Sequence, residues 1–407
     1  MAAICKHFGV CGGCQTQDVP YPEQLARKRR DVQEMLWHLA GLQRPSVEPV
    51  IGMPVGDDGM PRHFRHKASF VFAPKDARGR GLEMGHYASR SRRVVPVVEC
   101  PVHSVRANQL AFALRDHLSR AQVSAAGPRL EGILRHVVIR TTHDDREALV
   151  MLVVTRNDKS LRKPLRAFLA SEIRPDGLFV TVHDRDDSYM VGDVLLRIDG
   201  HAHIRETRLG PTYLLSPTAF FQTNPDAAAA MVSEVMAQAV VGTVSADALH
   251  VLDLYAGSGL FALPLAAAGH IVTAVEENRQ AVKDGIANAA ANRISQARVL
   301  FVTARTEDYL GRLRATPDLV VLDPPRQGCA PAVIQGVFRE LKPQRVIYVS
   351  CNPEAFASEV PAMLDAGYTL ERVLPVDMFP HTDHVELVAT LSAPPRRPSS
   401  AKRKESA

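Results

Sequence analysis

Two textures of apolar and polar positions divide this 407-residue chain. From about Arg62 to Leu215 short apolar or alternating runs are separated by turns: FRHKASFVFAP, GLEMGHYA, RRVVPVVEC, GILRHVVIRTT, EALVMLVVT, GLFVTVHD, DVLLRIDG and TYLLSP. These predict a largely antiparallel β region, with helices at Ser104–Arg120 and Leu161–Glu172. From His250 onward the pattern becomes strand, glycine turn and helix, repeated through HVLDLYAGSGLFALPLA, IVTAVEEN, RVLFV, DLVVLDPPRQG and RVIYVSCNP. That alternation predicts a doubly wound parallel sheet. The last two runs, TLERVLPVDMF and HVELVATL, are joined by MFPHTDH, which is too short for a crossover. They should therefore be antiparallel, and the α/β sheet should carry a reversed last strand.

Ahead of both regions, Leu25, Val32, Leu36 and Leu39 recur at near-helical spacing between Pro22 and about Leu42, and Gly41 is a natural stop. The basic run Arg27–Arg30 on this helix suits a solvated face better than a phosphate site. The expected division is a cysteine segment and helix over 1–60, a β-rich central domain over 61–215, a Rossmann-like domain over 216–392 and a basic tail over 393–407. The tail, PPRRPSSAKRKESA, has no apolar pattern and is expected to be disordered.

Hydrophobic residues make up 46% and charged residues 23%, with 49 Lys and Arg against 44 Asp and Glu. Such a balance fits a soluble globular protein and says little alone about an anionic partner. No apolar run reaches membrane-spanning length, and MAAICKHFG lacks the apolar core of a signal peptide. A cytoplasmic enzyme with reduced cysteines follows as the expectation. In the central region basic residues interleave with apolar ones at Arg62, Arg65, Lys67, Arg78, Arg80, Arg90, Arg92, Arg93, Arg135, His136 and Arg140. That fits a sheet face against a nucleic-acid backbone, although a solvated surface fits equally well.

Cys5, Cys11 and Cys14 fall within ten residues, in C-KHFGV-C-GG-C, and Cys100 in VVECPVH is a distant fourth. Four thiolates suit zinc or an iron–sulfur cluster, and the spacing favours neither decisively.

The doubly wound region sets its candidate groups on one edge. Ligands of open α/β sheets bind beyond the carboxyl ends of the parallel strands. The turn with Gly257 and Gly259, the acid Glu276 after the second strand, Asp323 of the DPPR turn and Cys351 all follow such strands. Glu386 begins the reversed strand, so it returns to the same edge, flanked by His381 and His384. GSGLFA alone fits dinucleotide dehydrogenases and adenosylmethionine-dependent methyltransferases. The reversed strand and DPPR favour the latter. Cys351 precedes a helix capped by Asn352, where the helix dipole is expected to lower its pKa.

A thiolate beside a methyl donor and a carboxylate suits methylation of an unreactive pyrimidine carbon. Addition of Cys351 to C6 of uracil makes C5 nucleophilic, and Glu386 then removes the C5 proton. A non-catalytic RNA-binding protein on this fold is the competing class, but it has no chemical need for Cys351, Asp323 and Glu386 together.

CKHFGVCGGCQTQ, LSPTAFFQTNP, DLYAGSGLFALPLA, DPPRQG, SCNP and FPHTDHVE, six motifs in order from Cys5 to about Leu391, resemble the RNA uracil-5-methyltransferase family, whose members form 5-methyluridine. The resemblance implies a 4Fe–4S cluster held by Cys5, Cys11, Cys14 and Cys100. It implies S-adenosylmethionine contacts at Gln222, Tyr255, Glu276 and Asp323, with Cys351 as nucleophile and Glu386 as base. Gln222 has no local signal of its own. Relatives often carry a small β-barrel module ahead of the cysteines, and with Cys5 so near the start none is expected here. Leu260 stands where some relatives have a polar residue. The cysteine segment is more similar to ribosomal-RNA members (23S) than to those acting on the transfer-RNA T-loop. RNA is thus the expected partner, and the chain is expected to act as a monomer without a membrane.

Overall fold

A computed structural model describes residues 3–76, 80–127, 129–186, 191–192, 194–241 and 248–394. Arg78, and the expected tail from residue 395 on, lie outside the described residues.

The central region forms a seven-stranded sheet from β1 (Lys67–Pro74), β2 (Leu82–Tyr87), β3 (Val94–Pro96), β4 (Leu134–Thr141), β5 (Ala148–Val154), β6 (Gly177–Val182) and β7 (Val194–Gly200), in the order β3-β2-β1-β4-β5-β6-β7. All neighbours are antiparallel except β5 and β6. That parallel pair is made possible by the intervening helix Arg162–Leu169, which serves as a crossover. β3 is shorter than RRVVPVVEC suggested, ending at Pro96, whose nitrogen has no proton for a ladder. One face of the sheet is covered by the helices Val105–Arg120 and Arg162–Leu169, which pack Leu110, Leu114, Leu118 and Phe168 onto Phe70, Val137 and Leu152. Ser104 caps the first of these, its side chain accepting the Ala107 N–H. The other face turns Val138, Leu149, Met151 and Val153 toward the C-terminal domain.

A small hairpin of β8 (Ile204–Glu206) and β9 (Tyr213–Leu215) links the two domains. The C-terminal sheet contains β10 (His250–Leu254), β11 (Ile271–Glu276), β12 (Val299–Thr303), β13 (Leu319–Leu322), β14 (Arg345–Ser350), β15 (Thr369–Val376) and β16 (Glu386–Ser392), in the order β12-β11-β10-β13-β14-β16-β15. β10 to β14 are parallel, and β16 runs against both β14 and β15. The reversed strand is thus last in the chain but not at the sheet edge; it is inserted beside β14. Its Ala389, Val388 and Leu387 can be buried there on both faces.

The helix Tyr21–Ala40 lies on this C-terminal domain, burying Val32 and Leu36 in a core shared with Val360, Met363 and Val373. Gly41 ends it in the left-handed conformation (φ +69°). Residues 47 and 51 then bridge to Val373 and Val376, extending the sheet past β15. The basic run on this helix is not a solvated stripe. Lys28 is only 4% exposed and pairs with buried Asp377 at 2.6 Å, and Arg29 donates to the Val47 carbonyl. No helix among the described residues is long and apolar enough to cross a membrane.

Candidate active site and cysteine site

The carboxyl edge of the C-terminal sheet gathers the expected groups. After β10 the chain turns through Tyr255, Gly257 and Gly259, with φ of +62°, +54° and +93°. A Cβ on Gly259 would stand 2.9 Å from Leu263 and from Phe301, so glycine is needed for close packing, whereas Gly257 opens onto free space. Glu276, at the end of β11, accepts the N–H of Gly257 at 3.0 Å and of Asn278 at 2.7 Å. Its carboxylate is thereby locked against the glycine turn, with lone pairs left for a ligand hydroxyl. Asp323 follows β13 directly. An open glycine turn with an acid after each neighbouring strand fits an adenosine-bearing cofactor such as S-adenosylmethionine.

Cys351 and Glu386 stand at the same edge, within electrostatic reach of each other, of Asp323 and of Arg326. Burial pushes Asp323 up to about 7. Glu386 is 4% exposed, and burial together with the charge of Asp323 pushes it up to about 8, while Arg326 opposes the rise. Cys351 is also raised, by burial and then by Glu386 and Asp323, against Arg326. This corrects the expected lowering. Asn352 turns its own side chain onto the Glu354 N–H, and burial together with two carboxyls outweighs the helix dipole. Two features were not singled out in the sequence. Arg326, within the DPPR motif, is the cation that favours both thiolate and carboxylate, and Asn352 donates to its carbonyl at 2.9 Å. Asp253, fully buried in β10, is pushed well up by burial, then by Asp323, against the Ala262 N–H.

Gln222 is half-buried on the loop between β9 and the helix Pro225–Ala239. The central domain grips this loop: Arg140, 3% exposed, donates to the Ala219 carbonyl at 2.5 Å, and the His66 N–H reaches the Thr223 carbonyl at 2.7 Å. Phe220, on the same loop, is 77% exposed, an uncommon placement for a phenyl ring. His384 is exposed and His381 buried, its Nε2 meeting the Pro61 carbonyl at 2.9 Å. Cys329 is buried, and its N–H is donated to Glu359 at 2.7 Å.

Away from this edge, Cys5, Cys11, Cys14 and Cys100 line one cavity of about 140 Å³ together with His86, His103 and Arg65. Burial and mutual repulsion push Cys14 up to about 12, and burial pushes Cys100 up to about 11. The N–H of His7 points at the Cys5 Sγ and that of Gly13 at the Cys11 Sγ, each at 3.4 Å. Four thiols lining one cavity beside a half-buried guanidinium and backbone N–H···S donors fit an anionic metal–thiolate group. Among the described residues, the set of three donors within 4.8 Å of one another is His86, Cys100 and His103.

Residues 201–393 match the family model described as tRNA (Uracil-5-)-methyltransferase. An "uncharacterized RNA methyltransferase" of Gloeobacter violaceus is 36% identical over 392 residues, covering 96% of this chain and 82% of that protein. Another, from Halalkalibacterium halodurans, is 30% identical over 397 residues, covering 96% and 83%. A crystal structure of the Pyrococcus abyssi tRNA (uracil-54, C5)-methyltransferase in complex with S-adenosyl-L-homocysteine is similar at a TM-score of 0.76 and 27% identity, covering 94% of this chain and 86% of that one. The α/β fold, the site-bearing sheet edge and these matches agree, and the chain belongs to the S-adenosylmethionine-dependent RNA uracil-5-methyltransferase family.

Proposed function

We propose that the chain methylates C5 of a uridine in RNA through a covalent adduct on Cys351. The observation that carries this reading is the shared edge of Cys351, Glu386, Asp323 and Arg326. The Cys351 thiolate forms an S–C6 bond, and the C5=C6 electron pair moves toward O4 as an enolate. Gln222, Tyr255, Gly257, Gly259, Glu276 and Asp323 would hold S-adenosylmethionine, which would supply the electrophilic methyl group that C5 takes, with S-adenosylhomocysteine as the leaving group. The Glu386 carboxylate then takes the C5 proton, and the returning electron pair expels the Cys351 thiolate. A base whose pKa lies near 8 is strong enough to hold that proton at working pH.

RNA enters over the central sheet face. Lys67 lies directly opposite Arg140 on β1 and β4, Arg65 shares that face, and Lys67 is pushed down to about 8 by burial and then by both neighbours. Like charges opposite one another destabilise a sheet, and with Arg140 buried on the Ala219 carbonyl, half-buried Lys67 is the cation of the pair left for an RNA phosphate. Phe220 offers a face on which a base can stack once the target uridine leaves its neighbours.

A 4Fe–4S cluster held by Cys5, Cys11, Cys14 and Cys100 suits the cavity. Zinc–sulfur bonds of about 2.3 Å would draw four thiols together more tightly than the His86, Cys100 and His103 set, whereas a cluster spreads them. Ribosomal RNA of the 23S type is the proposed substrate, from the cysteine segment. The similarity to the Pyrococcus abyssi enzyme over 94% of the chain favours a transfer-RNA T-loop uridine as the second reading. Mapping 5-methyluridine in both RNAs from a strain lacking this protein separates them: loss of one ribosomal 5-methyluridine supports the first, and loss at the T-loop alone supports the second.

A further inference from the structure

The turn that leads into Glu386 is built against residues more than 300 positions earlier. His381 sits in the left-handed region (φ +67°), which a non-glycine residue keeps only where its surroundings hold it. Its N–H is donated to Gln24 Oε1 at 3.1 Å, and its carbonyl accepts the N–H of Gln15 at 2.8 Å and of Thr16 at 3.1 Å. Gln24 also donates through Nε2 to the carbonyls of Thr16 and Val19, each at 2.8 Å. One helical turn on, Lys28 Nζ reaches the carbonyls of His384 at 2.8 Å and Phe379 at 3.2 Å besides Asp377. The turn 377–384 is thus held from the segment 15–28.

Gln15 immediately follows Cys14, and on the other side Gln17 Oε1 accepts the Cys5 N–H at 3.1 Å. Residues 3–19 contain no helix or strand, only turns and one bridge from Cys11 to Ala88. Such a segment takes its order from what its side chains hold, and a group bound by four sulfurs would supply it.

We propose that the four-cysteine site latches the catalytic base: when it is filled, Gln15 and Thr16 are fixed against His381, and His381 fixes the turn presenting Glu386. The inference rests on the assignment of Glu386 as base. His381 and Gln24 are both buried and act here as positioning residues. The latch gives the cysteine site a task in the reaction although the cavity belongs to another part of the fold.

Hydrogen–deuterium exchange on the anaerobically purified full-length protein, before and after chelation of its metal, reads the latch. Exchange should rise together over 5–17 and 381–387, while 250–276 stays protected. Faster exchange over 5–17 with 381–387 unchanged overturns the latch. Should stripping unfold 250–276 as well, Gln24→Leu with its metal content intact decides. It should lower kcat by about 10- to 100-fold, leave the KM for S-adenosylmethionine unchanged, and accumulate a covalent RNA–protein adduct, because proton removal follows adduct formation. Unchanged kcat, or a loss without adduct, overturns the latch. Glu386→Gln is measured alongside: adduct with that variant but not with Gln24→Leu refutes the latch alone, and adduct with neither refutes the base itself.

Discussion

Glu386 stands within electrostatic reach of Asp323 at the end of the sheet, and burial, then the charge on Asp323, push Glu386 up to about 8. Cys351 meets the same pair, so the nucleophile and base each ionise with more difficulty than in water. Arg326 is the group that relieves both.

Activity should therefore rise with pH. Both the Cys351 thiol and the Glu386 carboxyl must lose protons, and both are raised, so log kcat/KM should climb steeply from pH 6 to about 8, where Glu386 is ionised, and go on climbing above that as the raised thiol ionises. Arg326→Gln removes the opposing cation and should move the climb to higher pH. A pH–rate profile of both proteins checks this, and an unshifted limb in the variant would contradict it.

Stability should show the opposite trend. The folded state binds the Glu386 proton more tightly than the unfolded state, so this group favours folding fully below about pH 4.5, and the benefit is lost as pH rises to about 8. Glu386→Gln should therefore gain about 1–4 kcal/mol relative to the native protein at pH 8.5 and little at pH 5. Thermal unfolding of the cofactor-free protein at the two pH values measures the difference.

The Lys28–Asp377 pair is nearly fully buried, and Tyr21 adds a hydrogen bond to Asp377 at 2.8 Å. Removing one charge strands the other, so Lys28→Met should cost about 3–5 kcal/mol. Lys28→Met with Asp377→Asn should recover part of that loss. Urea unfolding of the three proteins tests the coupling.

Lys67 should act on RNA through phosphate. Lys67→Met should weaken binding and reduce the slope of log affinity against log salt by about one, while kcat at saturating RNA stays near native. Filter binding across a salt series gives the slope.

Much of this was legible in the chain. The alternation of strands, glycine turns and helices places Gly257, Glu276, Asp323 and Cys351 at strand ends, and period and topology put strand ends together. The insertion of β16 beside β14 was not legible, because a short link shows antiparallel pairing with β15 but not which second neighbour is taken. The raised thiol of Cys351 was hidden because it depends on burial and on carboxyls brought near by folding, whereas its helix cap is local. Lys28 sits in a run of basic residues that look alike in sequence; only the helix phase against Asp377 separates it from Arg27 and Arg30.

The central claim is a covalent bond from Cys351 to C6, and RNA carrying 5-fluorouridine tests it most directly, since Glu386 cannot remove fluorine as a proton. With S-adenosylmethionine, the protein should form an adduct that survives denaturation and maps to Cys351, and Cys351→Ala should form none. Turnover of normal RNA by Cys351→Ala, or no adduct with the native protein, would contradict the account.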